Sequence, residues 1–185
     1  RLADARTIEV QGPDGARKVQ GNKVILATGS EPLKLAGFPF DGKTVLTSDE
    51  ALKLKAAPAS VLIVGGGYIG CEWAGVFHGL GAQVTIVEMM DQLLPRSDSD
   101  IAKELFKHFK KAKMDIHLKT KVESIQSGAG GAKAKLSNGK EVEAEIVLVS
   151  IGRALNSKDI GLEEAGIRTE RGAIQIDEHC RTSAQ

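Results

Sequence analysis

Val61-Leu62-Ile63-Val64-Gly65-Gly66-Gly67-Tyr68-Ile69-Gly70-Cys71-Glu72-Trp73-Ala74, followed by Thr85-Ile86-Val87-Glu88, is the stretch that decides the fold. A four-residue apolar run breaks into Gly-x-Gly-x-x-Gly at Gly65, Gly67 and Gly70, and apolar residues at helical spacing follow. A second apolar run then closes at Glu88. The order is strand, glycine turn, helix, strand. Each glycine has its own job: Gly65 permits the tight turn, Gly67 leaves room against the backbone, and Gly70 lets the helix lie close to the sheet.

Ile69, Trp73, Val76, Phe77 and Leu80 fall at i, i+4, i+7, i+8 and i+11, which predicts one apolar helix stripe facing a sheet. Gly81 predicts the stop, and Gln83 to Val87 reads as the neighbouring parallel strand. Amides of the first helical turn face an anion there, a preference of about 0.3 to 1 kcal/mol at an exposed site. Glu88 lies about 20 residues beyond the turn, the usual place for an acid that holds an adenosine ribose. A carboxylate accepts from a 2′-hydroxyl and repels a 2′-phosphate, which favours NAD over NADP. A triple glycine after a buried strand also makes a plain turn; the strand before, the helix after and the acid in place favour the dinucleotide.

Upstream, Thr7 to Gln11, Pro13-Asp14-Gly15 and Lys18 to Gln20 predict a hairpin. Val24 to Ala27 predicts a buried strand ending at Thr28-Gly29-Ser30, and Glu31 to Thr44, with Pro32 and Pro39, a crossover linker. Thr47-Ser48-Asp49-Glu50 is a capping box that opens a short helix through about Lys55.

Downstream, the loop Met89 to Arg96 precedes a helix over about Asp98 to Lys113, with Ser97 as its cap. Ile101, Leu105 and Phe109, with Ala102 and Phe106 beside them, predict its buried stripe. Lys103, Lys107, Lys110, Lys111 and Lys113 form a solvated face. Asp115 to Leu118 reads as a third parallel strand. Lys121 to Ala144 then alternates, with a turn at Gly128 to Gly131 and a hairpin signal at Asn138-Gly139. Ile146 to Ile151 predicts a buried strand closing at Gly152, Glu163 to Gly166 a short helix-like piece, and Ala173 to Asp177 a last strand. The sum is an α/β fold: a Rossmann-like parallel sheet with helices, plus an antiparallel β-meander. Val24 to Gly29 and Ile146 to Gly152 share an apolar run, a small hydroxyl residue and a glycine, and mark two passages between stacked domains.

With 185 residues, 42% hydrophobic and 26% charged, the composition is that of an ordinary globular chain. A formal net charge of +1 offers no electrostatic case for nucleic acid or an anionic membrane. No apolar run approaches the roughly 20 residues that span a bilayer. Cys71 and Cys180 form no paired motif, which favours a reduced intracellular setting, cytoplasmic or the mitochondrial matrix. The chain starts at Arg1 without a Met, so the lack of a targeting segment excludes nothing.

Several motifs together resemble one family, the flavin-dependent pyridine nucleotide-disulfide oxidoreductases, and most closely its dihydrolipoamide dehydrogenase branch. They are Ile25-Leu26-Ala27-Thr28-Gly29-Ser30-Glu31-Pro32, the Gly65-to-Glu72 turn, Thr85 to Glu88, Leu94-Pro95, Val147 to Arg153, and Ile176 to Ser183, in the family's order. The resemblance implies the end of a FAD-domain segment at residues 1–30, an NAD-binding domain at 31–155, and the chain returning to the FAD domain at 156–185. It also implies a homodimer in the intact protein, and electron flow from a dithiol, carried on a lipoyl domain, through FAD to NAD. The family's redox Cys-x-x-x-x-Cys, its first flavin glycine motif, its His–Glu pair and its dimerisation domain are not in this sequence. The fragment alone is therefore expected to bind NAD(H) without turnover. Other NAD-linked members, a transhydrogenase, mercuric reductase or NADH oxidase, fit the same residues, as does a non-catalytic NAD-binding module.

Carried over by position, the resemblance implies an NAD set of Gly65, Gly66, Gly67, Tyr68, Ile69, Gly70, Cys71, Glu72, Glu88, Met89, Val122, Gly152 and Arg153. Within it Glu72 points to the nicotinamide end, Tyr68 gates the path to the flavin or simply packs, and Val122 touches adenine. Thr28, Gly29 and Ser30 would contact FAD. Neither cysteine matches a catalytic one, and no metal ligands are implied. Leu155 stands where the family often has proline, which puts the turn after Arg153 in question.

Overall fold

The computed structural model describes residues 1–184. In chain order the strands and helices are β1 (Leu2–Asp4), β2 (Thr7–Gly12), β3 (Gly15–Gln20), β4 (Ser30–Pro32), β5 (Val45–Leu46), α1 (Ser48–Ala51), β6 (Ser60–Val64), α2 (Tyr68–Gly79) and β7 (Gln83–Val87). Then come α3 (Ser99–Lys111), β8 (Asp115–His117), β9 (Val122–Gly128), β10 (Gly131–Leu136), β11 (Glu141–Ala144), β12 (Ile146–Val149), β13 (Arg153–Leu155), β14 (Thr169–Glu170) and β15 (Ala173–Ile174). The chain divides into two compact units, one of Arg1–Glu31 with the residues from Arg153 onward, the other Pro32–Gly152.

The second unit is built on a parallel sheet in the order β5-β12-β6-β7-β8. Its strands are apolar at successive positions because both faces are covered. Val61 and Ile63 of β6, Ile146 and Leu148 of β12, and Val84 and Ile86 of β7 face one core with Ala74 and Phe77 of α2 and Phe109 of α3. Leu62, Val64, Val147 and Val149 alternate to the other face, where Ile125, Ala134 and Leu136 of the meander β11-β10-β9 cover them. Each of the valine, leucine, isoleucine and phenylalanine side chains among these contributes about 1.5 to 3 kcal/mol by leaving water. Gly139, at φ +80, makes the turn that joins β10 to β11. Among the described residues no helix is long and apolar enough to cross a membrane.

Both amphipathic helices bury part of the stripe their spacing predicts and leave the rest in water. In α2 the buried residues are Gly70, Cys71, Ala74 and Phe77, while Val76 and Leu80 are exposed. Phe77 of the predicted stripe is buried and Trp73 packs beside it, while the small residues Gly70, Cys71 and Ala74 fill the rest of the buried face. In α3 Ala102 and Phe109 are buried and Leu105 and Phe106 pack beside them, whereas Ile101 is exposed. Its cap is Asp98 rather than Ser97, since the Asp98 side chain accepts from the Asp100 amide at 2.9 Å. Helix α1 has its Thr47–Glu50 capping box but ends at Ala51, short of Lys55.

The first unit holds the three-stranded sheet β1-β2-β3 and a small cluster of Leu2, Leu162, Ala165 and Ile167. Val24 and Leu26 lean on that cluster, but Ile25 is 90% exposed and Val24–Ala27 is not a strand. No strand among the described residues pairs with it, so its apolar run has no ladder to join. Glu163–Gly166 is a turn rather than a helix, and Ala173–Asp177 shortens to β15, paired with β14 through Thr169–Ile174 and Glu170–Ala173. Despite Leu155, the segment after Gly152 is extended as β13 and pairs with β4.

Candidate functional site

The turn between β6 and α2 is built by close approach. Gly65 sits at φ +105, and a Cβ on it would stand 2.5 Å from the Ser150 carbonyl oxygen. A Cβ on Gly70 would stand 1.9 Å from the Gly65 carbonyl oxygen and 2.8 Å from Ser150 Oγ. Only hydrogen fits at either place. Ser150 adds a tie that spacing alone does not announce: its hydroxyl lies 3.2 Å from the Val64 carbonyl and 3.1 Å from that of Gly65, donating to the pair.

Gly67 is different, because no heavy atom lies within 4 Å of a Cβ built there. It is the N-cap of α2, and no side chain hydrogen-bonds to that end of the helix. The other two helices are capped by Thr47 and Asp98. The opening amides of α2 therefore face open space, with the positive end of the helix dipole behind them.

Glu88 faces this turn from the end of β7. It is only 7% exposed, and its two carboxylate oxygens accept from the Gly66 amide at 2.6 Å and the Met90 amide at 2.7 Å. These two bonds leave lone pairs on both oxygens free for a further donor. Beyond it the chain folds back over the turn: Leu93 is fully buried, with Cδ2 2.7 Å from a Cβ built on Gly66, and the Leu94 amide donates to the Gly66 carbonyl at 2.8 Å. Leu94 adopts φ +49 to make that bond. Sequence reasoning had the Leu94-Pro95 pair but not this brace, since nothing in residue type alone signals a leucine in a left-handed conformation.

Around this centre, Tyr68 is 65% exposed, Ile69 is half-buried, Glu72 is exposed and Met89 is 56% exposed. Cys71 is buried, its thiol donates to the Gly66 carbonyl at 3.3 Å, and burial pushes its pKa up to about 11. That makes it a packing residue with little thiolate at neutral pH. Val122 opens β9, half-buried against the meander-side core. Gly152 has φ +140 with open space about its Cβ position.

Thr28, Gly29, Ser30 and Arg153 belong to the other unit, where they meet one another. Arg153 Nε donates to Ser30 Oγ at 2.7 Å and its terminal nitrogen to the Ser30 carbonyl. Asn156 donates through its amide to the Gly29 carbonyl and through its side chain to that of Thr28, both at 3.1 Å. Arg153, expected with NAD, is thus engaged by a residue expected with FAD. Among the described residues no group of three or more His, Cys, Asp or Glu side chains could hold a metal ion.

A family profile described as pyridine nucleotide-disulphide oxidoreductase matches residues 2–185. The chain is 39% identical over 188 residues to dihydrolipoyl dehydrogenase of Chlorobaculum parvum, covering 99% of this chain and 40% of that protein. It is 45% identical over 171 residues to dihydrolipoyl dehydrogenase of Bacillus subtilis, covering 86% of this chain and 35% of that one. Among solved structures it is similar to a Cu(II) complex of the HOCl-induced flavoprotein disulfide reductase RclA from Escherichia coli, with TM-score 0.87 and 30% identity over 100% of this chain and 42% of that one. LpdA from Mycobacterium tuberculosis gives TM-score 0.86 and 29% identity over 95% of this chain and 39% of that one. The chain spans about two fifths of the length of these relatives.

Proposed function

Because the chain belongs to the pyridine nucleotide-disulphide oxidoreductases, we propose that it is the NAD-binding part of a FAD-dependent dihydrolipoamide dehydrogenase. The observation that carries this reading is the uncapped amino end of α2 over an open Gly67, with the Glu88 carboxylate beside it. Gly67, Tyr68 and Ile69 would present backbone amides to the diphosphate, since peptide N–H groups at a helix start need an acceptor. Glu88 would accept from the adenosine ribose through its remaining lone pairs, and its charge would turn away a 2′-phosphate. The bonds from Gly66 and Met90 fix the carboxylate's orientation before any ligand arrives. Thr28, Gly29 and Ser30, braced by Arg153 and Asn156, would meet FAD.

When bound, NAD supplies the hydride acceptor and FAD the carrier of electrons from a dithiol; the chain's own residues bind and orient. The intact protein would act as a homodimer on a lipoyl carrier domain. A second reading within the family, another NAD-linked flavoprotein disulfide reductase, draws support from the likeness to RclA. Fluorescence titration with NADH and NADPH tests the nucleotide assignment. NADH is expected to bind and NADPH to bind more weakly. Equal or tighter NADPH binding refutes the role of Glu88, and no binding of either refutes the site. Turnover of dihydrolipoamide by the 185-residue chain alone would refute the division of labour.

A further inference from the structure

The three methionines lie in two environments. Met89 and Met90 directly follow Glu88 and are 56% and 46% exposed, whereas Met114 is 4% exposed in the core beneath the helices. The backbone is pinned at the second of the pair. The Met90 amide donates to Glu88 Oε1 at 2.7 Å, and the Met90 carbonyl accepts from the Lys119 amide at 2.8 Å. Two exposed methionines thus stand on a stretch of backbone fixed next to the acid assigned to the ribose. A thioether is a soft apolar surface, and its sulfoxide is polar and chiral.

We propose that Met89 and Met90 form an oxidation-sensitive rim on the nucleotide site, at which a peroxide lowers NADH affinity. The inference rests on the nucleotide reading of Gly65 to Glu88. In the step itself a sulfur lone pair attacks one oxygen of hydrogen peroxide, the O–O bond breaks and an S–O bond forms. Sulfur loses two electrons, the peroxide gains them, and the second oxygen leaves as water with both peroxide protons. The sulfoxide then presents a dipole where the adenosine end would meet apolar surface. Losing contact worth about one methylene weakens NADH binding about fourfold. The pinned backbone confines the change to the side chains, so stability should hold. A methionine sulfoxide reductase with a dithiol returns the thioether.

The test treats the purified chain with hydrogen peroxide after alkylating Cys180, the exposed thiol. Peptide mass spectrometry then follows each methionine, and NADH titration follows affinity. The expected result is oxidation of Met89 and Met90 well ahead of Met114, a matching rise in the NADH dissociation constant, and recovery with the reductase. In the variant carrying Met89→Leu and Met90→Leu, affinity before and after peroxide should be the same, whatever its starting value. Oxidation of Met114 at the same rate overturns the selective site. Selective oxidation with unchanged NADH affinity, or loss that persists in the double variant, overturns the rim. If the untreated chain binds no NADH, the nucleotide reading itself has failed, and the rim falls with it whatever the mass spectra show.

Discussion

Replacing Gly67 by Ala separates binding from folding. At φ −71 and ψ −176 its backbone is one that alanine adopts, and nothing within 4 Å obstructs a Cβ. Removing glycine's freedom in the unfolded chain gains about 0.4 to 1 kcal/mol. Alanine is a poorer N-cap than glycine by a similar amount, so the two terms nearly cancel. The melting temperature should stay within about 2 °C. A diphosphate approaching the α2 amides would now meet a methyl group, an overpacking cost of about 1 to 3 kcal/mol, or about a 5- to 150-fold weaker NADH dissociation constant.

Gly70→Ala is the control with the opposite profile. Its methyl would stand 1.9 Å from a backbone oxygen, so α2 must move off the sheet. The melting temperature should fall by about 2 to 12 °C, and binding should suffer only as the fold does. Thermal melts and NADH titrations on both variants decide the matter. If Gly67→Ala binds NADH within about twofold of the parent, the ligand does not lie over Gly67. If it melts as low as Gly70→Ala, the open space around Gly67 has been misread.

Glu88→Ala should shrink the preference for NADH over NADPH by about 1 to 3 kcal/mol, the scale of a charge-assisted bond, as read by paired titrations. It should also lower the urea midpoint, because the buried Gly66 amide loses its acceptor. For the thiols, alkylation at neutral pH should label Cys180 but not Cys71 until denaturant is added, given the burial that raises the Cys71 pKa to about 11. Mass spectrometry showing two labels on the folded chain would contradict that burial. Hydrogen bonds from the Thr47 side chain and amide hold the Glu50 pKa below its ordinary value. A carboxyl depressed in the folded state contributes stability that is present above the ordinary glutamate pKa and lost as pH falls through the lowered one. Urea midpoints should therefore fall over that acid window, and Glu50→Gln should flatten this part of the fall.

What was legible in the sequence was the part fixed by local chemistry. The β6–turn–α2–β7 order follows from a buried run, three glycines and a helical repeat, and β7 spans the predicted Gln83–Val87. The hairpin at Asn138-Gly139 and the capping box at Thr47 depend on side chains acting within a few residues of themselves. Less legible was anything decided by a distant neighbour. Val24–Ala27 has the composition of a strand but no partner strand, and Val76 and Ile101 fit an apolar repeat yet face water. Periodicity gives a helix a stripe, but the sheet chooses which edge of it to bury. Around the turn, spacing placed Glu88 at the end of β7 but not its clasp on Gly66, nor Ser150 and Leu94 bracing the turn, because those bonds join residues that meet only after folding.

The Leu33 amide donates to the Gly152 carbonyl at 3.0 Å, so the unit Pro32–Gly152 begins and ends at one spot. Its interior is thereby a closed loop between two neighbouring ends. The entropy of bringing those ends together is spent once the unit has folded, and it grows only slowly with the length of chain between them. Lengthening or shortening a turn inside the unit, such as the one between β9 and β10, should therefore leave the meeting of Leu33 and Gly152 intact.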